Sequence, residues 1–212
     1  MANIEKFNEL VSKLPDYKEL ARRAALFAAI DNSIGYAQDN GIVKNYNKNN
    51  SDRYFWEDGG GQEANIIFKA DGINDDSILI FGYDHESYFN AYAAEKGEKY
   101  STVIAFDELP EEFNHLINED YLKWSWDTST DDKKVQATCA IWQRHGISEW
   151  NASSTFLKAM TDEKDDGGFN YCFEKFTLEP TLENIKSYYV DHGHEDSELL
   201  EIEKIYNTFY PN

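Results

Sequence analysis

Residues Ser77 to Tyr83 read Ser-Ile-Leu-Ile-Phe-Gly-Tyr, a nearly unbroken apolar run bounded by polar residues. A run this short is a strand length, and apolar residues on both faces require cover on both sides. This is the strongest constraint on the fold, because a strand buried twice needs neighbours and two packed layers. Two candidate neighbours precede it: Arg53 to Trp56, closed by Glu57-Asp58-Gly59-Gly60-Gly61, and Ala64 to Ala70, followed by the turn signal Asp71-Gly72. The three predict an antiparallel meander. Val135 to Arg144 is expected to be a fourth strand and Phe169 to Phe176 a fifth.

Helices are expected on either side of this region. Ile4, Phe7, Leu10, Val11 and Leu14 recur at helical spacing and make one apolar face. After Pro15 a second helix is expected from about Asp16 to Ile30. Ser87 to Lys96 is a further candidate, and Pro110 to Asn118 starts with proline and two glutamates in its first turn. Thr181 and Asp196 to Phe209 begin the C-terminal pair. Asn40 to Asp52 is polar and asparagine-rich and reads as a loop. The expected fold is α+β, a mainly antiparallel sheet of about five or six strands with helices at the N- and C-terminal ends. Residues 1–212 then form one domain: a helical element over 1–40, a polar loop over 41–52, a sheet-containing core over 53–180 and C-terminal helices over 181–212.

Charge limits the partners. The chain has 40 acidic and 20 basic residues, a formal net charge of −20. Residues 1–50 are nearly balanced, with 7 basic and 6 acidic side chains, so the excess lies beyond them. Nucleic acid and anionic membranes both need a basic footprint, so neither is expected as a partner. A basic protein is. No secretory leader opens the sequence and no apolar stretch is long enough to span a bilayer, so the expected compartment is the cytoplasm. Cys139 and Cys172 lie within apolar or aromatic runs and read as buried free thiols.

Three clusters could carry chemistry. Gly59-Gly60-Gly61 lacks the Lys-Ser/Thr of a phosphate-binding loop and follows two acids, which makes it a turn. Asp84-His85-Glu86-Ser87 follows the central strand directly, where a rigid scaffold presents side chains. Adjacent residues on extended chain face opposite ways, so these either fix the turn locally or contribute one or two ligands to a metal. His192-Gly193-His194 could add imidazoles to the same ion, and otherwise forms a solvated link between helices. A metal-dependent enzyme using the Asp84-His85-Glu86 and His192/His194 clusters, with His85, His192 and His194 as the metal ligands, is thus the alternative. No cofactor is expected on the other, a binding protein. There, tyrosines and tryptophans set among acids, Tyr54, Trp56, Trp124 and Trp126, would serve as interface anchors beside Asp84, His85 and Glu86.

Phe81-Gly82-Tyr83-Asp84-His85-Glu86-Ser87, Leu109-Pro110-Glu111-Glu112-Phe113 and Thr138-Cys139-Ala140-Ile141-Trp142-Gln143-Arg144 resemble a bacterial family of uncharacterised proteins. That family carries a Gly-Phe-Asp-His-Glu-Ser motif after a strand, with Leu-Pro-Glu-x-Phe and Thr-Phe-Cys-x-Trp-Arg segments beyond it. The resemblance covers roughly residues 53–150, with Tyr83 in place of the usual Phe, and implies a shared fold and a meaningful Asp84–Ser87 turn. Leu14-Pro15-Asp16-Tyr17-Lys18-Glu19 resembles the start of the SMI1/KNR4 superfamily, which contains many immunity proteins of bacterial toxin systems. That resemblance implies an immunity-type inhibitor of a bacterial toxin, and the acidic charge implies that the toxin is basic.

Overall fold

The computed structural model describes residues 2–35, 43–46, 52–58, 60–68, 77–90, 102–117, 126–127, 134–135 and 137–211. The fold is α+β with an antiparallel sheet. Its strands are β1 (Val43–Tyr46), β2 (Asp52–Glu57), β3 (Gln62–Phe68), β4 (Ile78–Asp84) and, after a separate ribbon of β5 (Trp126–Asp127) and β6 (Lys134–Val135), β7 (Cys139–Gln143). The sheet runs β1-β2-β3-β4-β7, and every pairing is antiparallel. The expected β2–β3–β4 meander is present, with Ile66 opposite Ile80 and Tyr54 opposite Ile66.

β4 is covered on both faces, as its apolar run requires. Ile78 and Ile80 point into a large core shared with helices, and Leu79 and Phe81 into a smaller one on the opposite face. The large core contains Tyr54, Ile66, Cys139 and Ile141 from the sheet. Helices α1 (Ala2–Val11), α2 (Tyr17–Ser33), α3 (Ser154–Glu163), α4 (Phe169–Cys172), α5 (Glu174–Thr177), α6 (Leu182–Asp191) and α7 (Asp196–Phe209) lie in chain order, and the first six of them, with Ile202 of α7, contribute buried residues to this core. The smaller core is closed by Ala105, Phe113 and Leu116, carried on 3₁₀ turns at Thr102–Phe106 and Glu111–Ile117. Pro110 therefore opens a 3₁₀ helix rather than the expected α-helix.

Local signals set the helix ends. Asp16 accepts the Glu19 N–H at 2.9 Å and caps α2. Ser153 accepts the Phe156 N–H at 2.9 Å and caps α3, which sequence reasoning left unassigned. Thr181 caps α6, and a capping box of Glu195 and Glu198 starts α7. Buried polar groups tie the helical layer together. Arg23 of α2 donates to the carbonyls of Phe176 and Leu178 at 2.8 and 2.5 Å. Lys175 of α5 pairs with Asp31 of α2 at 2.8 Å, and the Tyr189 hydroxyl donates to the same carboxylate at 2.5 Å.

Several expectations are corrected. Phe169 to Phe176 is not a strand but the helices α4 and α5. Its buried residues, Phe169, Cys172, Phe173 and Phe176, are spaced 3, 1 and 3 apart, a helical period that aromatic content obscured. Val135 to Arg144 is split, since β6 pairs with β5 and only Cys139–Gln143 joins the main sheet. Within Asn40 to Asp52, read as loop, Val43–Tyr46 pairs with β2, whose open edge needs backbone partners whatever the side chains. Ser87 to Asn90 form hydrogen-bonded turns rather than a helix start, with the Ser87 N–H donating to the Asp84 carbonyl at 3.0 Å. Residues 91–96 and the Asp71-Gly72 turn lie outside the described residues. No helix among the described residues is long and apolar enough to cross a membrane.

Candidate functional site

The end of β4 is held by two other loops. Asp84 donates its N–H to Thr138 Oγ1 at 2.9 Å, and its Oδ1 accepts from Gln62 Nε2 at 3.2 Å and the Glu86 N–H at 3.0 Å. Ser87 Oγ donates to Asp165, whose carboxylate also accepts the N–H groups of Tyr88 and Gly167, each at 2.7 Å. Asp166 accepts the Gly168 N–H at 3.0 Å, and Asp58 accepts those of Gly60 and Gln62. Each aspartate thus stabilises a turn with its own side chain.

Glycine makes the approach possible. Gly168 adopts φ +79°, and a Cβ there would sit 2.3 Å from the Asp84 Cβ. A Cβ on Gly61 would lie 2.7 Å from His85 Nδ1. His85 pairs through Nε2 with Glu86 at 2.8 Å, while its buried Nδ1 has no hydrogen-bond partner. Asn90 donates to the His85 carbonyl. The local reading of this motif, a fixed turn, describes its geometry.

The electrostatics are those of gathered carboxylates. Burial pushes the Cys172 thiol well up, and Asp84, Asp58, Asp166 and Glu63 add to the effect in that order. Tyr171, 54% exposed, stands at the same place and donates its hydroxyl to Asp58 at 3.0 Å. Its own pKa is pushed up to about 12 by partial burial and then by that bond. Cys139 is raised by burial in the same way, so both thiols stay protonated and neither is an activated nucleophile. The arrangement can offer a negative, donor-seeking surface.

Other expected site residues are placed elsewhere. Tyr54 and Trp56 are 4% and 9% exposed, because both face the large core, so they are not surface anchors. Trp126 enters the β5–β6 ribbon through its backbone, and Trp124 lies outside the described residues. His192 stacks on Tyr188 at 4.1 Å, its Nδ1 2.7 Å from that residue's carbonyl. His194 pairs with Glu198 at 3.2 Å across the start of α7. Among the described residues no three His, Cys, Asp or Glu side chains gather around a point where an ion could sit. Sequence reasoning missed Asp58, Asp165, Asp166 and Tyr171. Asp58 and Asp166 directly precede glycines, which is a turn signal, but only the fold brings the turns together.

No protein-family model, curated protein or solved structure matches the chain.

Proposed function

We propose that this chain is a non-catalytic acidic binding protein, most concretely an immunity-type inhibitor that covers a basic bacterial toxin. One observation carries the reading: Asp58 and Asp84 both accept hydrogen bonds from Gln62, Asp166 holds the Gly168 that packs against Asp84, and the exposed Tyr171 donates to Asp58. A net charge of −20 raises the encounter rate with a basic partner, and clustered carboxylates stand where nucleic-acid phosphates would stand on a nuclease. A rigid aromatic beside them supplies contact area at low entropic cost and slows release. The resemblance of Leu14 to Glu19 to the immunity-rich SMI1/KNR4 superfamily agrees with this, and the cytoplasm is where such a protein would act.

The test is capture of partners on the immobilised chain at low salt, with stepped salt elution, repeated with the Asp84→Asn/Asp166→Asn variant. A basic protein that elutes as salt screens the charges, and is weakly held by the variant, supports the reading. Retention of only acidic proteins, or retention indifferent to salt, overturns it.

A further inference from the structure

We propose that a second surface, the groove between the α1–α2 corner and the 143–152 loop, receives a basic amphipathic segment of the partner protein. This rests on the proposed binding function and names a surface that function does not. The groove encloses about 1050 Å³. Each wall carries an aromatic residue directly preceded by a carboxylate: Asp16-Tyr17 where α2 begins, and Glu149-Trp150 on the loop after β7. Half-buried Val11 and exposed Ile147, at 44%, add aliphatic surface.

Charge decides the occupant. None of the described lining residues is Lys, Arg or His. Asp16 accepts one backbone N–H at the start of α2, and neither it nor Glu149 has an ion-pair partner among the described residues. Two carboxylates without a basic partner, flanking an apolar trough, fit a chain segment that lays aliphatic side chains on Tyr17, Trp150 and Ile147 and sets Lys or Arg against the rim. The trough is already built. Tyr17 packs edge-on against Phe68 with ring centroids 5.3 Å apart, and the loop is pinned to β7 by two hydrogen bonds between Trp142 and Asn151, at 2.9 and 2.8 Å. A preformed surface loses little order on binding.

The probe is a short fluorescein-labelled peptide of leucine and lysine, followed by anisotropy on the full chain at rising salt. A peptide of serine and lysine serves as the control. The leucine peptide should bind more tightly than the control, and salt should weaken it. The Ile147→Ser/Glu149→Gln variant should lose about tenfold in affinity, the value of one aliphatic contact and one charge. Both positions are exposed, so the fold should survive. Glu174→Gln, an exposed charge outside the groove lining, should leave peptide binding within about twofold of the parent. If the groove variant binds like the parent while the Asp84/Asp166 variant loses the peptide, the groove assignment falls and the acidic binding function stands. Equal affinity for both peptides also overturns the groove. If neither peptide shows salt-weakened binding, the binding function falls with it.

Discussion

Gly167 and Gly168 show how single residues hold the site. Both have positive φ, and a Cβ on Gly167 would lie 2.2 Å from the Thr138 carbonyl oxygen. Gly146 has φ +71° but open space around it. Gly167→Ala should therefore cost about 2–5 kcal/mol, from strain plus overpacking, and Gly146→Ala about 1–2 kcal/mol, from strain alone. Urea denaturation of the two variants checks the order; equal losses would show that the close approach is not rigid. Asp31 is a residue of another kind. It is fully buried, and it holds Lys175, which sits within 5.9 Å of the ring centres of Phe27, Tyr188 and Tyr189. Asp31→Ala should cost about 3–5 kcal/mol because a buried ammonium loses its counter-charge, and adding Lys175→Met should restore most of it. A double variant no more stable than Asp31→Ala in the same denaturation would refute that account.

At the scale of elements, short caps and periods set boundaries, and context sets type. Ser153 caps α3 and donates to the Ile104 carbonyl at 2.8 Å, joining the helix to the 3₁₀ turn under the other sheet face. Ser153→Ala should destabilise by about 2 kcal/mol, one cap and one stranded acceptor. The midpoint of chemical unfolding should fall with its slope unchanged. The caps of α2 and α6, Asp16 and Thr181, were legible in the sequence, and so was the register-free outline of β2, β3 and β4. The α4–α5 segment was not. Aromatic density suggested a strand, although the spacing of Phe169, Cys172, Phe173 and Phe176 was helical. The strand β1 was hidden because its reason lies in the edge of β2, not in its own residues.

For the molecule as a whole, buried thiols make stability depend on pH. The Cys139 and Cys172 pKa values are raised above 9.0. The native state therefore keeps protons that the unfolded chain releases above about pH 9, so their contribution is complete below that pH and declines above it. The slope is about 1.4 kcal/mol per pH unit for each thiol. Burial lowers the pKa of Lys175, which works in the opposite direction in the alkaline range. The thiol effect is therefore read as a difference: stability of the parent should fall more steeply between pH 9 and 10 than that of Cys139→Ala/Cys172→Ala. Parallel profiles would show that the thiols titrate normally. The acidic excess acts at the same scale, since moderate salt should relieve self-repulsion among the carboxylates.

The amino-acid sequence by itself determined the twice-buried central strand, the meander around it, the terminal helices' apolar faces and the overall sign of the charge. These follow from local period, turn residues and composition, which need no knowledge of neighbours. Only the tertiary structure decided where the charge collects. Asp58, Asp84 and Asp166 are far apart in the chain, and they meet because the β2–β3 turn, the end of β4 and the loop before α4 close on one another through glycine. Likewise Tyr54 and Trp56 read as anchors beside acids until strand parity turned them into the core. Tyr171 and Trp150 remained reachable because their elements left one side in solvent. Exposure is a property of what packs opposite a residue, and one strand or helix cannot specify that alone.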